Sequence, residues 1–259
     1  MEFSLPKLSH GKGVFVTGTD TGVGKTWIAA GLTAVIRQWG LKAAYFKPIQ
    51  SGCPEVEGRL IPTDARFARE LTGLGEPLER LTPIALRLPL APGVAAAQAG
   101  VTVDLQRVAS AYEALAAHYE FLVVEGAGGL YVPLINTHFL VLDMIRWLRL
   151  PLLVVARAGL GTINHTVLTV KAAQHAGLPV VGVVLNRYPA QPSLAERTNP
   201  EVIEKLAGVP ILGRVPEVAD LDTQAGRDTF LAAMDEVCRN FAQACAAKAF
   251  LECIISGEG

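Results

Sequence analysis

Between the apolar run Gly13–Gly18 (GVFVTG) and a helical pattern that opens near Thr26 lies Gly18-Thr-Asp-Thr-Gly-Val-Gly-Lys-Thr26. This segment constrains the fold more tightly than any other. A strand that ends in a glycine-rich turn and runs straight into a helix aims backbone N–H groups and the positive helix end at one point, which makes an anion site. Gly22 and Gly24 let the turn bend inward, Lys25 brings a point charge suited to β- and γ-phosphates, and Thr26 brings a hydroxyl for Mg²⁺. The spacing departs from G-x-x-x-x-G-K-[ST]: position 19 is Thr, and the first glycine, Gly18, sits one residue early. The mechanical parts are complete all the same. They imply a nucleoside triphosphate, ATP as first choice, with Asp20, Thr21, Gly22, Val23, Gly24, Lys25 and Thr26 around it.

The remaining apolar runs have strand length and β-branched content: Lys42–Lys47, Phe121–Glu125, Pro151–Ala156, Val180–Asn186 and Pro210–Val215. Near-continuous apolarity fits strands covered on both faces. Helical patterns lie between them, at Thr26 to about Gln38, Asp104 to about His118 and Asn164 to about His175, with Gly40 and Gly177 as closing residues. The alternation predicts an α/β fold: a doubly wound, mostly parallel sheet in a single P-loop-type domain over residues 13–247. Residues 1–12 read as a flexible lead and 248–259 as a tail. Pro54–Pro62 and Pro83–Gly100 read as loops, and Phe230–Ala247 as a helix.

The 23 Lys and Arg against 24 Asp and Glu leave a net charge of −1. That balance offers no broad attraction to nucleic acid or anionic lipid. No segment is long and apolar enough for a membrane span, and the first residues lack a signal-peptide core, so a cytoplasmic protein is expected. Cys53, Cys238, Cys245 and Cys253 form no C-x-x-C pair and read as reduced thiols.

In a parallel sheet the strand C-termini share one edge, which brings further residues to the phosphate turn. Glu125 ends FLVVE, before Gly126-Ala-Gly-Gly, and supplies a carboxylate for a metal. Lys47 ends the second strand and supplies a second ammonium for an anionic transition state; Ser51 follows on the same loop. Asp64 starts a helical stretch, either as a metal ligand or as an N-cap. Asp143, inside an apolar stretch, reads as a structural hydrogen-bonding acid. The segment Gly161-Thr-Ile-Asn-His165 offers N–H groups and Asn164 before a helix, either as an anion site or as an ordinary cap.

Read together, Thr17–Thr26, Lys47-Pro-Ile-Gln-Ser-Gly52, Val124-Glu-Gly-Ala-Gly-Gly129 and Gly161-Thr-Ile-Asn-His165 closely resemble dethiobiotin synthetase, over about residues 13 to 220. That family makes a cyclic urea from 7,8-diaminononanoate, CO₂ (as bicarbonate) and MgATP. The resemblance implies that Lys25 and the loop amides hold the phosphates and that Thr26, Asp64 and Glu125 hold Mg²⁺. Lys47 would stabilise a carbamate and the charge at the γ-phosphate, with Thr21 and Ser51 beside the substrate amines. Glu125, Gly126, Ala127 and Gly128 would border the nucleotide. Asn186 and Arg187, with Val215, Pro216 and Glu217, would form the adenine and ribose pocket; the acid that meets the ribose is Glu217, Asp220 or Asp222. Gly161, Thr162 and Asn164 would receive the substrate carboxylate, contributed by the partner subunit of a homodimer. Three rivals remain. A partitioning or metal-insertion ATPase would carry Lys where this chain has Asp20. A nucleotide-sensing module would have no need of Lys47. An amide-forming ligase on a cobalamin precursor would need a glutaminase domain.

Overall fold

The computed structural model describes residues 5–8, 12–218, 220–221 and 223–247. Strand β1 (Gly13–Gly18) is buried throughout and leads through the glycine turn into α1 (Lys25–Gln38). Strand β2 (Ala43–Phe46) opens an excursion of short pieces: β3 (Ile49–Gln50), β4 (Glu55–Val56), β5 (Arg59–Leu60), α2 (Thr63–Thr72), α3 (Leu78–Leu81), β6 (Ile84–Ala85) and α4 (Pro92–Gln98). Then follow α5 (Leu105–Ala116), β7 (Phe121–Glu125), β8 (Pro133–Ile135), β9 (Phe139–Leu140), α6 (Val141–Leu148) and β10 (Leu152–Arg157). The chain continues through α7 (Thr162–His175), β11 (Val180–Tyr188), α8 (Leu194–Ala207), β12 (Ile211–Pro216) and α9 (Gln224–Ala247).

Among the described residues, six strands form the main sheet in the order β12-β11-β10-β1-β7-β2. Every pairing in it is parallel. This is the α/β architecture expected from the apolar runs. Helix α1 packs against α2 and α9, and α7 against α8, β10 and β11. Close packing of α9 on α1 requires Gly31, where a Cβ would come within 2.7 Å of Met234 and 2.8 Å of Phe230. The chain turns back across β1 to β10 on one side and β7 on the other, so the carboxyl ends beside β1 form the crevice in which such sheets bind ligands.

Four readings need correction. Pro54–Pro62 is not simply loop: β4 and β5 pair antiparallel within it. Pro83–Gly100 is not simply loop: it contains β6 and the whole of α4, with Pro92 at its first position, where a missing N–H is harmless. Asp64 is not an N-cap: Pro62 holds that place and Asp64 is the second residue of α2. Asp143 does make a structural hydrogen bond, but at a helix end, not in the core: half-buried, it accepts the Leu140 N–H at 2.9 Å. Of the lead, residues 5–8 are described, and Trp147 Nε1 donates to the Pro6 carbonyl at 2.8 Å. Asp222, the tail 248–259 and Cys253 lie outside the described residues; Cys53, Cys238 and Cys245 are buried thiols.

Candidate active site

Strands β2 and β7 pair with Phe46 opposite Val124, so Lys47 and Glu125 leave neighbouring strand ends at the same level. Lys47 Nζ donates to Glu125 Oε1 at 2.7 Å and also pairs with Asp64. Thr26 Oγ1, from the first turn of α1, donates to the same Glu125 oxygen at 2.9 Å. The other carboxylate oxygen accepts the Tyr45 hydroxyl at 2.5 Å. Asp64 reaches the cluster because Gln50, buried in β3, grips the start of α2. Its Nε2 donates to Thr63 Oγ1 at 2.8 Å, and its Oε1 accepts the Asp64 N–H at 3.1 Å.

The glycine turn closes on the other side. Gly24 caps α1 in the left-handed region at φ 93°, and the helix has no side-chain cap, so its first N–H groups remain for a ligand. A Cβ at Gly24 would lie 2.0 Å from the Asn186 amide nitrogen, which donates to the Val23 carbonyl at 2.9 Å. Lys25 Nζ donates to the Asp20 carbonyl at 2.9 Å. Asp20 in turn accepts the Thr21 N–H and pairs with Arg157 at 2.9 Å.

The two lysines differ in their electrostatics. Burial pushes the Lys25 pKa down to about 8, against the pull of Glu125 and with a further push from Lys47. Burial also works against the Lys47 ammonium, but Glu125 and Asp64 outweigh it and raise its pKa. Burial, then the Glu125 and Asp64 charges, hold the Tyr45 phenol well above its ordinary range, so it stays a donor.

A cavity of about 890 Å³ is lined by Thr21, Gly22, Gly24, Lys25, Thr26, Lys47, Ser51, Asp64, Glu125, Ala127, Gly128 and Arg187. Among the expected site residues, these are brought together. Others are not. Asp20 lines a separate cavity of about 400 Å³ with Tyr131 and Leu168. Gly126 donates its N–H to the Val16 carbonyl, extending the ladder. Val23 is fully buried, Val215 nearly so, and neither Pro216 nor Glu217 borders the large cavity. Asn186 stands behind the turn. Gly161, Thr162 and Asn164 open α7 outside the cavity; Thr162 Oγ1 donates to the Arg157 carbonyl at 2.5 Å, while Asn164 is exposed. Sequence reasoning gave no role to Tyr45, Gln50 or the stacked Trp27–Phe67 pair, with centroids 5.8 Å apart, that walls the cavity. The available signal was the Tyr-x-Lys spacing, which puts Tyr45 and Lys47 on one face of an extended strand.

The carboxylates of Asp64 and Glu125 both pair with the Lys47 ammonium, with the Thr26 hydroxyl on the same Glu125 oxygen, so this donor set already accepts a positive charge. Among the described residues no cluster of three or more His, Cys, Asp or Glu could hold a metal. Two carboxylates and a hydroxyl are the donor chemistry that suits Mg²⁺, which takes one or two carboxylates and completes its shell with phosphates and water.

Solved structures share the fold. The MinC:MinD cell division protein complex of Aquifex aeolicus matches at TM-score 0.58 and 15% identity, over 90% of this chain and 96% of that one. An ATP complex of McdA from Cyanothece matches at TM-score 0.52 and 15% identity, over 93% and 97%. With the glycine turn feeding a bare helix end, this defines the molecule as a P-loop α/β protein, and a family model described as an AAA domain matches residues 12–225. The curated relatives narrow the class. The ATP-dependent dethiobiotin synthetase BioD of Anaeromyxobacter dehalogenans is 47% identical over 216 residues, 83% of this chain and 94% of that protein. The protein of that name from Thermodesulfovibrio yellowstonii is 40% identical over 217 residues, 81% and 90%; that from Bacillus subtilis (strain 168) is 42% identical over 210 residues, 81% and 89%. The chain belongs to the dethiobiotin synthetase family.

Proposed function

We infer that this chain is an ATP-dependent dethiobiotin synthetase, a cyclo-ligase of biotin biosynthesis that closes the ureido ring of dethiobiotin from 7,8-diaminononanoate and CO₂. The observation that carries the reading to the residues is the convergence of Lys25, Lys47, Thr26, Asp64 and Glu125 on one cavity beside a helix N-terminus. One amine of the diamine adds CO₂ to give a carbamate, a poor electrophile. The γ-phosphoryl group of ATP passes to the carbamate oxygen, ADP leaves, and the mixed anhydride acquires a good leaving group. The second amine, on the neighbouring carbon, attacks the carbonyl and expels phosphate, a step favoured by proximity. Positioning and charge neutralisation are the protein's share, as in other phosphoryl transfers. Lys25 and the turn amides hold the phosphates; Lys47 meets the carbamate and the charge growing on the γ-phosphate; Thr21 and Ser51 stand by the amines. Thr26, Asp64 and Glu125 would hold Mg²⁺, which supplies neutralisation of the β- and γ-phosphates when bound. Asn186, Arg187, Val215, Pro216 and Glu217 form the purine and ribose side, and residues 13–247 form the synthetase domain. Gly161, Thr162 and Asn164 take the substrate carboxylate from the neighbouring protomer of a homodimer. Exposed apolar residues at and beside α7, Leu160 at 94% and Leu168 at 62%, support a covered face there. Among the described residues no helix is long and apolar enough to cross a membrane, and the cytoplasm is the proposed compartment.

The test is incubation with ATP, Mg²⁺, bicarbonate and 7,8-diaminononanoate, read by mass spectrometry for the cyclised product and by ADP release. One ADP per product is the expected result. ATP hydrolysis indifferent to the diamine would instead favour a partitioning ATPase, and nucleotide binding without product a sensing module.

A further inference from the structure

Tyr45 is fully buried in β2, and its hydroxyl lies 2.5 Å from Glu125 Oε2. A buried phenol needs a partner, and a neutral backbone carbonyl would serve. Here the partner is instead the carboxylate whose other oxygen serves Thr26 and Lys47. Alternation explains the meeting. Phe46 turns to the opposite face and packs on Tyr112, ring centroids 5.9 Å apart, while Tyr45 and Lys47 share the face toward Glu125. Register places Tyr45 opposite Val123, so Glu125 lies beyond it on the same face of β7. A carboxylate's terminal torsion is broad and nearly two-fold, and Glu125 is only 1% exposed, so water does not hold its second oxygen. A tether on Oε2 leaves Oε1 facing the cavity.

We propose that Tyr45 is a positioning residue for this active site: its hydroxyl locks the Glu125 carboxylate so that one oxygen stays aimed at Thr26 and at the divalent cation accompanying the nucleotide. The proposal rests on the metal role read above for Glu125. Partners that orient a metal-binding carboxylate are typically worth 10- to 100-fold in metal affinity.

The probe is Mn²⁺ with a non-hydrolysable ATP analogue, followed by electron paramagnetic resonance of free Mn²⁺, with no diamine present. Binding is therefore read whether or not the chain turns that substrate over. Tyr45→Phe keeps the ring and removes the donor. The expected result is at least about a tenfold loss of Mn²⁺ affinity, with binding of the metal-free analogue unchanged. Unchanged Mn²⁺ affinity overturns the proposal, even if the melting temperature falls. Glu125→Gln provides a second arm should Tyr45→Phe alone fail to fold, because the neutral amide leaves no buried charge for the phenol to satisfy. In that background Tyr45→Phe leaves Mn²⁺ affinity where Glu125→Gln set it. A further tenfold loss there would mean that Tyr45 acts through another group, and the proposal would fail.

Discussion

Lys47 sits where two acids claim one cation. Its ammonium bridges Glu125 and Asp64 while only 6% exposed, so it is held at the cavity wall without the freedom of a surface lysine. Lys47→Met, which keeps the stem and removes the charge, should lower kcat by at least about 100-fold. The dissociation constant for ATP should stay within about threefold, because the phosphate contacts are proposed for Lys25 and the turn amides; equilibrium dialysis and single-turnover kinetics separate the two. Leaving Glu125 without its cation should also destabilise the fold by about 3 kcal/mol, visible in a urea titration. Lys25 gives a pH dependence of opposite character. Its folded-state pKa of about 8 lies below the ordinary 10.5, so below pH 8 the proton is bound in both folded and unfolded chains and the burial penalty is fully present. Between pH 8 and 10.5 the folded chain releases its proton first, and nucleotide-free stability from this group should rise by about 3 kcal/mol, an increment that Lys25→Met should lack. With Lys25 holding the phosphates as proposed, only its ammonium form binds, so triphosphate affinity should fall toward tenfold per unit above pH 8, measured by calorimetry. Lys25, Lys47 and Glu125 were legible because each stands at a strand end or in a motif. Tyr45 and Gln50 were not: the Tyr-x-Lys spacing puts Tyr45 on the face of Lys47, but its acceptor Glu125 is brought there by the pairing of β2 with β7, and Gln50's partners Thr63 and Asp64 by the packing of the start of α2 beside β3.

At the level of elements, the six core strands could be read almost to the residue because a parallel strand buried on both faces is a nearly continuous apolar run. The runs expected at Pro151–Ala156 and Pro210–Val215 are each displaced by one residue, Lys42–Lys47 is trimmed to Ala43–Phe46, and Val180–Asn186 continues to Tyr188. Helix α8 escaped the reading, and its chemistry shows why. Pro200 lies inside it, and proline there removes the hydrogen bond to the carbonyl four residues back. That carbonyl belongs to Glu196, and the Tyr188 hydroxyl, at the end of β11, donates to it at 2.8 Å. The helix survives because a side chain from the preceding strand replaces the missing N–H, while the Ser193–Glu196 capping box fixes its start. Tyr188→Phe should therefore cost about 1 kcal/mol by leaving the Glu196 carbonyl without its donor, while the ring keeps its place under Arg214, 5.5 Å away. A lower urea midpoint with an unchanged slope is the expected outcome, and an unaltered midpoint would show that solvent satisfies Glu196 equally well. Helix α4 was obscured in the same manner, its opening Pro-Gly reading as loop punctuation.

For the whole molecule, a single chain holds every group proposed for the phosphates and the ring-closing amines, yet the proposed carboxylate site at Gly161–Asn164 lies outside that cavity. Bringing the N-terminus of α7 to a neighbour's cavity needs a two-fold contact, and such a contact uses the same patch on both copies. Tyr131 at 66% exposure and Leu168 at 62% flank the smaller cavity beside the turn, which gives the apolar material for it. Composition alone hid this face, since exposed apolar residues are ordinary one at a time and become informative only when a fold groups them. The arrangement predicts complementation. Lys47→Met removes the ammonium proposed to stabilise the γ-phosphate charge, and Asn164→Asp places a negative charge where the substrate carboxylate should dock. Each variant alone should be nearly inactive, the second through a raised KM for the diamine with ATP affinity intact. Mixed and reassembled at equal concentration, half the dimers are hybrids, and in each hybrid one site joins the intact Lys47 of one copy to the intact Asn164 of the other. Activity should then return to about a quarter of wild type. If both residues served the same copy, the hybrids would hold two defective sites and mixing would restore nothing. Sedimentation velocity on Leu168→Glu closes the argument: a monomer with normal ATP binding and lost diamine turnover is expected, whereas a fully active monomer would show that the chain needs no neighbour.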